Sequence, residues 1–337
     1  MATVETAPRV AVVGKSNHLS WDLHVANAFR RIGCAVRHTP YNRYPFDILA
    51  RRALTQLLVG KPRMRQRAVA WSVDRWARDM EAFRPDLVFM TNAFFVPLEY
   101  YQRARRLTPA PKVCAWDGDG GASPANQPYY RELDLFFESG TDFARGRPDV
   151  PFAIQTLPFA ADESVYQNRR LPREEKLYFC GNWTPERDAV LSALTDFPLV
   201  LKGWGWKKLS KKGARFEISE GTVSVPDLVA DYNRYRFVVN THQAAPFIGM
   251  NMRTFEAPAC GACQLCDRRH GLDALFSDGE ELLTYDSPGQ LCDRAQWAFD
   301  HPKEVEQIAE MGHRRVLAQH TYAHRMRQVL AASGLTV

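Results

Sequence analysis

The stretch RTFEAPACGACQLCDRRHG, residues 253–271, carries Cys260, Cys263, Cys266 and His270. Thiolates and an imidazole at such spacing could cradle a zinc ion or an iron–sulfur cluster. The same residues also read as a helix carrying Glu256, ended by Gly261 and followed by a short buried strand. In a strand, residues three apart point to opposite faces, so Cys263 and Cys266 could not grip one ion together. No second C-x-x-C supplies a fourth thiolate, and no Cys-Pro follows as in ferredoxin-like runs, although His270 or Cys292 could in principle complete a site. Free cysteine often packs as a small core hydrophobe. The helix-and-strand reading is preferred, and no metal is expected. Elsewhere, imidazoles ordinarily titrate near neutrality, so His18 in GKSNHLSW could take a proton as a general base, although a lone loop histidine is more often structural. Asp117 and Asp119 in WDGDGG end a strand and could also serve as a base. They do not form an EF-hand loop, because the sixth loop position is not glycine. Thr91 and Asn92, after PDLVFM, are further candidates.

The elements around these residues repeat one order. VAVVG, a helical pattern over 21–32 and GCAVRHTP read as β-loop-α-β, the opening of a doubly wound domain with a parallel sheet. Residues 46–83 look largely helical; PDLVFMT, PKVCAW, LDLFFES and FAIQTLPF follow as strands, with a helix at PLEYYQRARR. The series then restarts. EKLYFCGN, PLVLKGWG, RFVVNTHQ, ACQLCD and ELLTYDS read as strands, with helices at ERDAVLSALTDF, VPDLVADYNRY and MRTFEAPACG, a short one at GLDALFSD, and helix from Pro288 onward. Two such series suggest two α/β Rossmann-like domains, 1–165 and 166–337, joined near AADESVYQNRRLPRE.

A chain of 337 residues is long enough for two real cores. No apolar run approaches a membrane span, and MATVETAPRV lacks a secretory pattern. Seven cysteines, an odd number spread through the chain, argue for reduced thiols in a cytoplasm. The net charge of +6 is uneven: residues 30–112 hold 17 Lys and Arg against 6 Asp and Glu, notably in GKPRMRQR. That is either a set of solvated helix faces or a field that attracts nucleic acid, anionic lipid or an acidic glycan.

GMNMRTFEAPACGA with the strand after it, GLDALFSDGEELLTYDSPGQL and MGHRRVLAQHTYAHRM occur in order. Together they resemble the C-terminal half of GT-B glycosyltransferases, specifically the spore-maturation (CgeB-like) branch. The resemblance runs from about Leu177 to Leu330, with LPFAADESVY similar to the interdomain segment and a weak echo at WDGDGG. It implies two Rossmann-like domains facing each other across a cleft. The C-terminal domain would bind a nucleoside-diphosphate sugar, with a UDP-sugar expected, and the N-terminal domain would hold the acceptor. The final helix, Tyr322–Ala332, would cross back onto the N-terminal domain.

The donor diphosphate needs backbone N–H groups and cations. Gly181 and Asn182 in the turn after a strand, Arg187 in the next helix, and Asn251 and Arg253 at the start of another could provide them. A carboxylate can accept from both ribose hydroxyls, and the family places a glutamate at Glu256 for that task. Many retaining members carry a second glutamate eight residues earlier; here that position is Ile248. Val223 or Ser224 could offer backbone groups to the base. Gly203 permits close approach, Trp204 and Trp206 could stack or pack as core, and Lys202 could meet phosphate or point into solvent. On the acceptor side Gly14 lets the chain turn, and Asp117 or Asp119 could instead contact a sugar. The resulting expectation is metal-independent glycosyl transfer to a glycan, lipid-linked or protein acceptor. The alternatives are transfer to a modified base in DNA, or a non-catalytic nucleotide-sugar-binding protein.

Overall fold

A computed structural model describes residues 7–14, 21–41, 62–118, 126–140, 154–211, 215–242 and 249–337. The chain divides into two compact units, residues 1–157 with 326–337, and residues 158–325. The first contains β1 (Arg9–Gly14), α1 (Trp21–Arg31), β2 (Ala35–Pro40), α2 (Pro62–Phe83), β3 (Leu87–Thr91), α3 (Leu98–Ala104), β4 (Lys112–Asp117), α4 (Gln127–Tyr130), β5 (Leu135–Glu138) and β6 (Ile154–Thr156). Its strands are parallel, in the order β2-β1-β3-β4-β5-β6. Strands such as LVFMT are buried along their whole length. Continuous apolar runs of this kind suit parallel strands covered on both faces, where alternation would waste one face.

The second unit contains β7 (Glu174–Cys180), α5 (Pro185–Leu191), β8 (Leu199–Lys202), β9 (Phe216–Ser219), α6 (Val225–Arg234), β10 (Tyr235–Asn240), α7 (Arg253–Ala259), β11 (Cys263–Asp267), β12 (Leu283–Tyr285), α8 (Pro288–Asp300) and α9 (Pro302–Gln319). The order is β12-β11-β10-β7-β8-β9, again parallel. Helix α10 (Tyr322–Ala332) begins in this unit and ends in the first. Three helices start alike: Thr184, Ser224 and Ser287 each accept a backbone N–H from the first turn, with a proline at its beginning. These caps satisfy donors that would otherwise be orphaned. Leu177, Phe179, Leu201, Trp206, Phe237 and Leu265 belong to one buried cluster beneath α5 and α8.

In each sheet the order reverses once, between β1 and β3 and between β7 and β10. The carboxyl ends of the strands at such a reversal open a crevice, the usual ligand position in this architecture. Two local expectations differ from the structure. Leu272–Phe276 forms hydrogen-bonded turns rather than a helix, since one turn bounded by Gly271 is too short to repay helix nucleation. The strand β9, FEIS, was not anticipated; it is a half-exposed edge strand of four residues. The helical expectation for 46–83 holds over 62–83, and 46–61 lie outside the described residues.

Candidate active site

The reversal in the second unit brings the ends of β7 and β10 together. Phe179, near the end of β7, lies under two guanidiniums: the Arg253 Cζ is 4.9 Å from its ring centroid and the Arg187 Cζ 5.4 Å. Arg253, the first residue of α7, donates through Nη1 to Asn240 Oδ1 (2.9 Å) and through Nη2 to the Cys180 carbonyl. Arg187, 7% exposed, donates to the Asn182 carbonyl at 2.9 Å. Burial, reinforced by the nearby Arg253 charge, lowers its guanidinium to about 10. Neither arginine has a carboxylate ion-pair partner among the described residues, and the Nε–H of each is buried without a hydrogen bond there. Two adjacent positive charges, partly removed from water and without a direct ion pair among the described residues, can hold an anion.

The turn between β7 and α5 is braced from several sides. Gly181 N donates to Lys202 O at 2.9 Å, and the buried Trp206 indole donates to Gly181 O at 2.6 Å. Gly203 has φ +138, and a Cβ there would run into the Gly181 carbonyl. Only glycine permits both the conformation and the approach. Asn182 is exposed, but its Oδ1 already accepts from Trp204 N at 3.2 Å. The two tryptophans divide as core and surface: Trp206 is fully buried, whereas Trp204 is 56% exposed with its Nε1 on Thr222 Oγ1 at 3.3 Å.

Lys202 differs from the two arginines. Its Nζ is 2.8 Å from Asp231 Oδ2, which also accepts from Tyr178 OH at 2.8 Å, so its charge is answered within the fold. Lys202, Gly221, Thr222, Val223 and Asp227 line a cavity of about 150 Å³ at the ends of β8 and β9. Ser224 is engaged as a helix cap, accepting from Asp227 N and donating to Asp227 Oδ2 at 2.5 Å. Asn251 likewise holds structure: its amide exchanges hydrogen bonds with Asn240 (2.8 and 3.2 Å), and its Oδ1 accepts from Thr254 N. Glu256 is 4% exposed, and its charge bears on Tyr166, Tyr232 and Tyr322. The acid expected to meet a ribose is thus buried among tyrosines.

Several residues here escaped the sequence reading. Phe179 and Asn240 organise the arginines; Asn240, a polar residue closing the apolar run RFVV, was the available signal. His242 and Asp267 form a second group, His242 Nδ1 lying 2.5 Å from Asp267 Oδ1 and its Nε2 3.4 Å from Thr254 Oγ1. Burial disfavours the Asp267 carboxylate, but His242 and Arg269 outweigh it and hold the acid below its usual range. Both residues line a cavity of about 330 Å³ at the ends of β10–β12, with Glu186 and Tyr285.

The cysteine stretch folds as helix and strand. Cys260, Cys263 and Cys266 are buried free thiols, and burial pushes the first two up to about 12 and Cys266 well above its usual value. Among the described residues the one close group of metal-ligand types is His242, Cys266 and Asp267, not the three thiols. A metal would need the Cys266 thiol ionised against full burial and the His242–Asp267 bond broken, so these residues fit a hydrogen-bonded pair better than an ion.

In the first unit the carboxyl ends carry acids. Asp117 ends β4, is 1% exposed, and stands in register beside Glu138 of β5. Asp22, after β1, is buried and 2.7 Å from His38 Nε2. A Cβ on Gly14 would collide with Thr91 and Asp22, so glycine lets these strand ends close up. Thr91 is buried, and Asn92 adopts a left-handed backbone, φ 53. His18 and Asp119 lie outside the described residues.

Residues 187–331 match the model of a family described as glycosyl transferase-like. No curated protein matches the chain in sequence. Several solved structures are similar over nearly their whole length. A glycosyltransferase from Rickettsia africae is 9% identical with a TM-score of 0.68, covering 97% of this chain and 98% of that one. Anabaena Alr3699/HepE in complex with UDP is 13% identical with a TM-score of 0.64, covering 97% and 99%. Sucrose-phosphate synthase from Thermosynechococcus elongatus is 13% identical with a TM-score of 0.63, covering 96% and 100%. With two parallel Rossmann-like sheets the chain has the GT-B fold of these structures, and its second half matches a glycosyl transferase-like family.

Proposed function

We propose that the protein moves a sugar from a nucleoside-diphosphate sugar, specifically a UDP-sugar, to a glycan, lipid-linked or protein acceptor, without a metal ion. The observation that carries this reading is the pair of guanidiniums, Arg187 and Arg253, stacked on Phe179 at the sheet reversal with no direct ion pair among the described residues. An acceptor nucleophile displaces the nucleoside diphosphate at the anomeric carbon. Charge then grows on the leaving diphosphate, and fixed cations beside it lower the barrier. Gly181 lets the chain come close, the exposed Asn182 amide adds donors, and the cavity beside Val223 and Thr222 takes the base with Trp204 next to it. Glu256, buried among tyrosines on the same helix as Arg253, meets the ribose. The first unit supplies the acceptor side, with Asp117 or His18 as the proton acceptor. The structure of Alr3699/HepE with UDP-glucose supports the choice of donor.

A thermal-shift screen of UDP-, GDP-, TDP- and ADP-sugars, with and without EDTA, tests this. A UDP-sugar at about 100 times its dissociation constant should add roughly 2.7 kcal/mol of stability, and EDTA should not remove it. A shift with another base only, with none, or only with added metal contradicts the proposal.

A further inference from the structure

Helix α2 turns an unusual face to solvent. Val73, Trp76, Ala77 and Met80 are buried, and the Ser72 hydroxyl bonds Tyr100 OH at 2.6 Å, so the helix cannot rotate about its axis. Its outward ridge is then Arg67, Trp71, Arg75 and Arg78, all exposed, with the Trp71 side chain 47% exposed. The Arg75 Cζ lies 5.7 Å from the Trp71 ring centroid. None of these three arginines has an ion-pair partner among the described residues, although acids are close in sequence; Glu81 of the same helix pairs with Arg103 instead, at 3.5 Å. This surface takes no part in the donor site and belongs to the other unit.

We propose that this ridge docks the protein on an anionic bilayer surface. The charge is complementary: guanidiniums left unpaired by the fold are attracted to acidic lipid headgroups, by an amount that adds up per residue. An indole among them suits the headgroup level, where an apolar ring with a polar edge is most stable. The shape also separates a plane from a groove. At about 100° per residue, Asp74 and Asp79 stand roughly 55° and 85° to either side of the ridge. A flat surface meets the ridge and leaves both acids in water. A nucleic-acid groove would press phosphates against both flanks, where those carboxylates repel them. No helix among the described residues is long and apolar enough to cross a membrane, so the contact is a surface one.

The test is co-sedimentation of the full chain with vesicles of phosphatidylcholine alone, or with roughly 30% phosphatidylglycerol, beside a gel-shift titration with short duplex DNA. Binding is expected to the acidic vesicles alone and to fade at high salt. Arg75→Glu with Arg78→Glu should weaken it at least about tenfold, and Trp71→Ala should weaken it several-fold while Trp71→Phe largely keeps it. UDP-sugar thermal shifts should be unchanged in all three variants, showing that they are folded. Equal binding to both vesicle types, variants that bind like the parent, or tighter binding to duplex DNA than to acidic vesicles overturns the proposal.

Discussion

The two sheets reverse their strand order in the same way, yet the crevices they open carry opposite charge. In the second unit the ends of β7 and β10 present Arg187 and Arg253, positive and without carboxylate partners among the described residues. In the first unit the carboxyl end of the sheet carries Asp22 of α1, Asp117 of β4 and Glu138 of β5, buried acids, one of them joined to His38. One topology thus provides an edge fit to hold a departing anion and another fit to take up a proton. Glycosyl transfer needs both.

The largest effect should come from disturbing the positive edge. If Arg253 stabilises the leaving group as proposed, Arg253→Ala should lower turnover per donor concentration by about 10²–10³. It also strips the Cys180 carbonyl and Asn240 Oδ1 of a donor, so chemical unfolding should show a loss of roughly 1–3 kcal/mol. Asp117→Asn, at the acidic edge, should lower kcat by about 10²–10⁴ while leaving the donor dissociation constant as it was. If Asp117→Asn weakens donor binding as much as Arg253→Ala does, the division of labour between the edges is wrong.

Smaller effects sharpen the contrast between groups that bind and groups that only hold the fold. His320, at the start of the crossover into α10, is buried and donates or accepts only within the protein, to Leu275 O and Arg325. Burial, with Arg325 beside it, lowers its pKa to about 4. The unfolded chain therefore takes up this proton first as pH falls. The stability His320 contributes is complete above its unfolded value and is lost between about 6.5 and 4, amounting to roughly 2 kcal/mol by pH 5. Urea unfolding of the parent and of His320→Phe at pH 7.5 and pH 5 should show that difference only in the parent. The thiols should respond least: with Cys260, Cys263 and Cys266 raised by burial, native protein at pH 8 should alkylate slowly there, and a fast reaction at any of them would place it at a surface.

The sequence made the architecture readable because both sheets are built from uninterrupted apolar strands stopped by Gly14, Thr91, Asp117, Gly181 and Asn240. Arg187, Arg253 and Gly203 stood out as candidates because a glycine turn and arginines in the first turn of a helix suit an anion. Asn182, Ser224 and Asn251 were harder. Polar side chains beside a turn or helix start serve equally as ligands or as braces, and here their oxygens meet Trp204 N, Asp227 N and Thr254 N. Sequence spacing does not reveal which partner wins. The Phe179 platform and the Asp22–His38 pair were out of reach, because each joins a helix residue to a strand residue distant in sequence. Edge strand β9 was missed since its alternation over four residues is too brief to stand above noise.

Calorimetric titration of UDP and UMP into the parent, Arg187→Ala and Arg253→Ala proteins reads the central claim most directly. If the two guanidiniums hold the diphosphate, each variant should lose at least about tenfold in UDP affinity and little in UMP affinity, with no magnesium in the buffer. Equal losses for UDP and UMP, or UDP affinity left intact in both variants, would contradict it.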